Sequence, residues 1–225
     1  MPMSARTAVG LLLLVLGLTA RLPADEPTLT AKVSRAALPA EVSDDIGKLL
    51  STDAIEVRDA AGPAVTFWLR KSLPTEASAE QIRNGLTYAE VTGGSVVGVV
   101  SFASTWTDFR RQEVVAGVYT LRIAVQPATG DHMGTAPHTD FCLLTPVAKD
   151  TKAAAIELKA LVEQSKEVTG GTHPSVMLLF PNFKGEGPKV TEEKDEVLVL
   201  RTKLDVGEGK AKLGFGFAVA GVTKK

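Results

Sequence analysis

The segment between residues 127 and 140, PATGDHMGTAPHTD, concentrates side chains that bind metal ions. It contains two of the chain's three histidines together with carboxylate and thioether groups. The candidate ligands are Asp131, His132, Met133 and His138. Imidazole with thioether or thiolate donors suits copper, whereas imidazole with carboxylates suits zinc. The composition therefore indicates a copper or zinc site, to which His173 or Cys142 could add a ligand from outside the segment.

The same segment also has a purely structural interpretation. Gly130 and Gly134 suit turn backbone, Asp131 can accept a local backbone hydrogen bond, and Met133 can fill the edge of a core. If the local backbone is extended, the adjacent side chains of His132 and Met133 point in opposite directions. A connection of this length between two strands is nevertheless often functional. Both interpretations are open at the level of sequence.

The two tryptophans, Trp68 and Trp106, suggest a second kind of site. An aromatic ring on the surface of a secreted β-domain can stack on a sugar, and this predicts a glycan-binding module. Trp68 is out of phase with the apolar neighbours Phe67 and Leu69, so it faces away from the core or lies under a helix. The alternative is that both rings are packing material, which is the common role of large aromatic residues.

Motifs of known catalytic mechanisms are absent from the sequence. It contains no Gly-x-Ser-x-Gly turn, no phosphate-binding Gly-Lys-Ser/Thr loop and no His-Glu-x-x-His pair. The net charge of −1 gives no reason to expect nucleic acid as a partner. We therefore interpret the chain as a non-catalytic binding or interaction module for a protein or glycan, with metal binding and glycan binding as alternatives.

The apolar pattern predicts a mainly β fold. Alternation or continuous apolar runs indicate strands at 55–58, 65–69, 87–91, 95–102, 118–126, 141–144, 176–180, 197–204 and 213–219. The first two are predicted to form a hairpin, and the continuous run at 95–102 is predicted to lie centrally in its sheet with both faces covered. Many short strands without a βαβ rhythm predict an antiparallel, jelly-roll-like β-sandwich. Two flanking helices are predicted, one from Pro39 to about residue 50 and one capped by Asp150 or Thr151 and ending near residue 168.

The last predicted strand has two unequal faces. Leu213, Phe215, Phe217 and Val219 lie on one face, and only glycine and alanine lie on the other. A face with so little side chain allows close packing of backbone or of one of the two helices.

The first 24 residues have the layout of a secretory signal peptide. A basic leader precedes an apolar run, AVGLLLLVLGL, that is too short to span a bilayer. Cleavage after Ala24 is the main prediction, and cleavage after Ala20 is the alternative. The mature chain then consists of a flexible lead-in, 25–38, and one domain, 39–225. With no second apolar stretch of membrane length, it is predicted to be periplasmic or extracellular, without a membrane span. Cys142 is the only cysteine, so no intramolecular disulfide is possible, and a lone thiol of this kind is expected to be buried in the core.

Two stretches resemble known sequences. Val115–Arg122 (VAGVYTLR) followed by Gly130–Pro137 (GDHMGTAP) resembles a group of uncharacterised bacterial proteins that carry signal peptides. The strand entry is also similar to that of secreted β-sandwich domains of unknown function. The resemblance covers residues 95–150 and implies an exported β-sandwich, without implying an activity, ligand or catalytic residue.

The signal-peptide interpretation predicts the N-terminus of the mature protein. When the full chain is expressed in a Gram-negative host, we expect the periplasmic fraction to contain a protein that begins at Asp25, as read by N-terminal sequencing. A start at Arg21 would select the alternative site. Retention of the intact chain in the cytoplasm would contradict export.

Overall fold

Two large antiparallel sheets, packed face to face, form the structure. The structure, a computed structural model, describes residues 29–126, 138–184, 187–209 and 211–221; the proposed signal peptide and most of the segment 127–140 lie outside these residues. Strands make up 47% of the structure and the sheets are not closed. The prediction of a mainly β, antiparallel sandwich is therefore confirmed.

The described residues contain thirteen strands, which are numbered in chain order. They are β1 (Thr30–Ser34), β2 (Leu50–Asp59), β3 (Gly62–Arg70), β4 (Ser72–Leu73), β5 (Val96–Phe102), β6 (Trp106–Thr107), β7 (Glu113–Val114), β8 (Gly117–Val125), β9 (Asp140–Pro146), β10 (Val176–Leu178), β11 (Lys189–Glu193), β12 (Val197–Val206) and β13 (Ala211–Ala220). Sheet A has the order β1-β2-β3-β5-β8-β9-β10. Sheet B has the order β11-β12-β13, with β4 parallel to the end of β12, and β6 pairs with β7.

The strongest strand signals are confirmed. The apolar run at 95–102 forms β5, the fourth of the seven strands in sheet A, and its valines are buried on both faces. Sheets covered on both sides favour such continuous runs. The two alternating segments around residue 60 form the β2–β3 hairpin, in which Asp59 and Gly62 are directly opposite.

The core lies between the two sheets. Phe67 and Leu121 from sheet A pack towards Phe215 and Phe217 of sheet B, and the rings of Phe67 and Phe217 have centroids 5.3 Å apart. The predicted inward face of β13 is thus confirmed. Each such buried side chain contributes about 1.5–3 kcal/mol relative to an exposed one.

Two short predicted elements take other forms, because tertiary neighbours determine their conformation. Part of the predicted flexible lead-in, residues 30–34, is the edge strand β1 and pairs with β2 from Ser34↔Ala54 to Thr30↔Arg58. The expected strand at 87–91 is a 3₁₀ turn, Tyr88–Glu90, started by a capping box between Thr87 and Glu90.

Of the three α-helices in the described residues, the first and the last lie in the predicted regions, and both are shorter than predicted. The three helices are α1 (Asp44–Gly47), α2 (Ala79–Asn84) and α3 (Leu158–Thr169), with a 3₁₀ turn at Lys194–Glu196. Ser43 caps α1, and the chain enters β2 at Leu50 rather than continuing as a helix. Within the described residues, no helix is long and apolar enough to cross a membrane.

The prediction that Asp150 or Thr151 caps the last helix is wrong. α3 begins at Leu158, and the residue before it, Glu157, makes no side-chain cap. The Asp150 carboxylate instead binds the buried side chain of Arg122, and residues 147–157, which form a turn, a bend and irregular backbone, lie against the outer face of sheet A. We call residues 147–157 the strap.

The glycine-rich face of β13 receives backbone instead of a helix. Phe180 donates to the carbonyl of Gly216 at 2.7 Å, and Leu179 forms a bridge with Phe217. A Cβ atom on Gly214 would lie 2.0 Å from the Asn182 carbonyl oxygen, so only glycine allows this approach. Residues 179–182 therefore join sheet A to sheet B at one corner of the sandwich.

Arg122 fastens the strap to sheet A. Its side chain is fully buried, and its guanidinium donates to both carboxylate oxygens of Asp150 at 2.7 Å. The remaining donors reach the carbonyls of Gly94, Lys152 and Ala154 at 2.6–2.8 Å. These five hydrogen bonds use all five N–H groups of the guanidinium. A buried charge is stable only when it is paired and hydrogen-bonded in this way.

This arrangement predicts a large loss of stability when one partner is removed. Asp150→Ala leaves the Arg122 guanidinium buried without its carboxylate, and we expect urea-induced unfolding to show a loss of about 3–5 kcal/mol. Removing the charge as well, in Arg122→Met/Asp150→Ala, is expected to recover part of that loss. The exposed pair of Lys166 and Glu163 provides the control, because Glu163→Ala should cost less than about 1 kcal/mol. A cost this small for Asp150→Ala would contradict the analysis.

Candidate functional site

Three of the proposed metal ligands lie outside the residues that the structure describes. They are Asp131, His132 and Met133. His138 is half-buried, and its ring meets that of Phe180 edge-on with centroids 4.7 Å apart. Burial lowers the pKa of His138, while the charge of Asp140 acts in the opposite direction. The net effect favours the neutral imidazole, which is the form that binds metals.

His173 does not lie near His138. β9 and β10 pair through Phe141↔Leu178 and Leu143↔Val176, which places His173, before β10, at the opposite end of this pair from His138. His138 packs on Phe180, which is seven residues from His173, so at about 3.3 Å per residue of extended chain the two histidines are on the order of 20 Å apart. Metal–imidazole bonds are about 2.0–2.1 Å long, so these two histidines do not share one ion. Among the described residues, no group of three or more His, Cys, Asp or Glu residues could hold a metal.

Cys142 also lies outside any such site. It is fully buried in the core between the sheets, and burial raises the pKa of its thiol far above the usual range. A thiol that remains protonated is neither a good nucleophile nor a metal ligand.

Neither tryptophan presents an open platform for a sugar. Trp68 is 5% exposed and lies under the segment that contains α1, where its indole donates to the carbonyl of Ala36 at 2.9 Å. Trp106 is half-buried, with one face stacked on Phe102 at 4.9 Å and its indole donating to Val219. Both rings serve as packing material, which was the alternative interpretation.

A cleft lies between the two sheets at the corner where their edge strands are incomplete. Neither β1 of sheet A nor β11 of sheet B pairs with the full length of its neighbouring strand. β1 ends at Ser34, opposite Ala54, and leaves residues 50–53 of β2 without an edge partner. β11 pairs with residues 197–201 of β12 and β4 with residues 205–206. Within the described chain, residues 202–204 therefore pair with β13 alone.

The resulting inter-sheet cleft has a volume of about 320 Å³ and combines apolar walls with a charged rim. Apolar side chains come from both sheets; they are Val33, Ile55, Leu69, Pro188 and Leu204. Pockets of about 300–1,000 Å³ with such mixed walls are typical of small-molecule sites.

The rim carries six charged residues. They are Asp53, Arg70, Lys71, Lys203, Asp205 and Lys212. Both carboxylates are neutralised, Asp53 by Arg35 at 3.1 Å and Asp205 by Lys212. Arg70, Lys71 and Lys203 form no ion pair with any residue that the structure describes. The rim is therefore positively charged, although the chain as a whole carries a net charge of −1.

A second hollow, of about 360 Å³, is a weaker candidate. All the residues that line it lie between Glu76 and Gly93, near α2 and the 3₁₀ turn. Apart from Val91, which is buried, its apolar lining consists of alanines. It therefore offers little apolar surface for a ligand.

Sequence analysis did not identify the inter-sheet cleft, because its residues come from distant segments of the chain. Val33, Asp53 and Lys203 carry no recognisable motif, and each is ordinary in its own strand. Only the places where β1 and β11 end bring them to one opening.

Comparison with protein-family models, curated proteins and solved structures finds no match to this chain.

Proposed function

We propose that this chain is an exported, non-catalytic binding module that holds a small molecule in the inter-sheet cleft. The observation that carries the proposal is the cleft itself, in which apolar side chains from both sheets line an opening of about 320 Å³. The signal-peptide layout of residues 1–24 supports export, and the absence of catalytic motifs from the sequence supports binding without turnover.

The position of the cleft favours a preformed site. Its inner wall consists of Leu69 and Leu204, which are 4% and 7% exposed and belong to the core between the sheets. Val33 stands at the outside, with 49% of its surface exposed. A ligand that covers Val33 and reaches Leu69 gains apolar contact with walls that are already held in place, so little ordering free energy is lost on binding.

Blocking the cleft tests the proposal. Nile red, a neutral dye whose fluorescence rises in apolar surroundings, is expected to bind the mature protein. We expect Val33→Trp, which fills the opening, to weaken binding by at least about tenfold, or about 1.4 kcal/mol. Val115→Trp is the matched control, because Val115 is also an exposed valine, at 62%, but does not line the cleft.

Equal dye binding by both variants and the wild type would overturn the proposal. Circular dichroism and the urea midpoint of each variant should match the wild type, so that loss of binding reports on the cleft and not on unfolding.

Metal binding by the segment 127–140 is a second candidate, favoured by one observation. His138 lies at the end of this segment, where burial lowers the pKa of its imidazole, and Asp140 is two residues away. Asp131, His132 and Met133 would supply the other ligands of a copper or zinc ion.

The metal content of untagged mature protein tests this candidate. After incubation with Cu²⁺ or Zn²⁺ and removal of excess ion, we expect about one equivalent to remain by elemental analysis, because three or four protein ligands hold such an ion. His138→Ala and His132→Ala/Met133→Ala should lose it. His173→Ala is the control and should retain it, since His173 lies at the other end of β10. A wild-type protein that retains neither ion would exclude the site.

A further inference from the structure

We propose that the ligand of the inter-sheet cleft is an amphiphile with an alkyl body and a single anionic head group, such as a carboxylate. This inference rests on the proposed function and specifies the chemistry of the ligand. The apolar walls select the body, and the uncompensated cations of the rim select the head.

The walls favour an alkyl group over a polar ligand. The contributing side chains are aliphatic on both sides of the opening, with Val33 and Ile55 on sheet A and Leu204 on sheet B. Burial of alkyl surface against them contributes about 25 cal/mol per Å². The uncharged polar side chains of the lining are those of Ser51 and Thr202. Because each is a single hydroxyl among aliphatic walls, the interior suits a ligand whose inserted part is hydrocarbon.

Lys203 is the most informative charge on the rim. It lies directly opposite Gly214 in the pairing of β12 with β13, so no side chain stands across the strand to neutralise it. The carboxylate two residues away, Asp205, is already paired with Lys212. On the other side, Arg201 pairs with Glu193. Lys203 is thus an exposed cation at the opening whose neighbouring charges are all satisfied.

A second cation, Lys71, strengthens this positive potential. The Lys71 ammonium donates to the carbonyl of Lys48 at 3.1 Å and keeps its charge unpaired. Arg70 also lines the corner where the chain passes from β3 to β4, but its guanidinium lies 3.5 Å from the Val96 carbonyl, on the face of sheet A that carries Trp68. An anionic head group at the rim would find two cations, Lys71 and Lys203, and no free carboxylate among the lining residues, whereas a cationic head group would be repelled.

Competition experiments with one alkyl length and three head groups test the charge preference. Decanoate, decanol and decyltrimethylammonium displace Nile red from the mature protein in parallel titrations below their micelle concentrations. We expect decanoate to be the strongest competitor, decanol to be weaker and decyltrimethylammonium to be the weakest. Added salt should weaken decanoate towards decanol, because it screens an exposed ion pair.

Charge reversal at Lys203 identifies the residue responsible. In Lys203→Glu we expect decanoate to bind about tenfold more weakly, since the head group meets a like charge, while Nile red and decanol change little. Lys203→Arg should keep the preference. Lys159→Glu is the matched control, because it makes the same change in net charge at an exposed lysine of α3, away from the cleft.

The outcomes separate this inference from the proposed function. Equal competition by decanoate and decanol, or an equal effect of Lys203→Glu and Lys159→Glu, would overturn the anionic head group while leaving the cleft as a binding site. If none of the three compounds displaces Nile red, or if Val33→Trp leaves dye binding unchanged, both proposals fail.

Discussion

The buried guanidinium of Arg122 constrains the architecture more than any other single group. A fully buried guanidinium needs a hydrogen-bond acceptor for each of its five N–H groups. The side chains of sheet A provide none of these acceptors, whereas the strap provides four. Asp150 and the carbonyls of Lys152 and Ala154 bring the strap onto the sheet, and Gly94 completes the set. The outer face of β8 thereby becomes interior, which leaves the chain between β9 and α3 no freedom to form a longer helix.

Sheet A is buried on both faces, because other segments cover its outer face and sheet B covers its inner face. The segment with α1 lies over Trp68, the strap over Arg122, and α3 over Leu143. Sheet B packs on the opposite face through Phe215 and Phe217. The result is a three-layered arrangement, in which the central layer is the sheet whose strands have the most continuous apolar runs.

The two corners of the sandwich differ for a physical reason. At one corner, Gly214 and Gly216 allow residues 179–182 to lie directly against β13, and the sheets are joined by backbone hydrogen bonds. At the other corner the chain passes from β3 of sheet A to β4 of sheet B through Lys71, and β1 and β11 do not reach the opening. The cleft is a consequence of this asymmetry, since an edge that is not covered leaves both the core and the flanking lysines accessible to a ligand.

Sequence alone determined the fold class, the central position of β5, the β2–β3 hairpin and the inward face of β13, because hydrophobic periodicity is a local property that survives folding. It also correctly indicated that Cys142 is buried. Tertiary structure alone decided the extent of the helices, the pairing of residues 30–34 and the role of Asp150. It also decided the position of the cleft. A side chain such as Asp150 has several local options, and the choice between capping a helix and pairing with Arg122 depends on the free energy of a charge buried 28 residues away in the chain. The inter-sheet cleft lined by Val33, Asp53 and Lys203 has the same origin, since these residues come together only once the strands that separate them have paired.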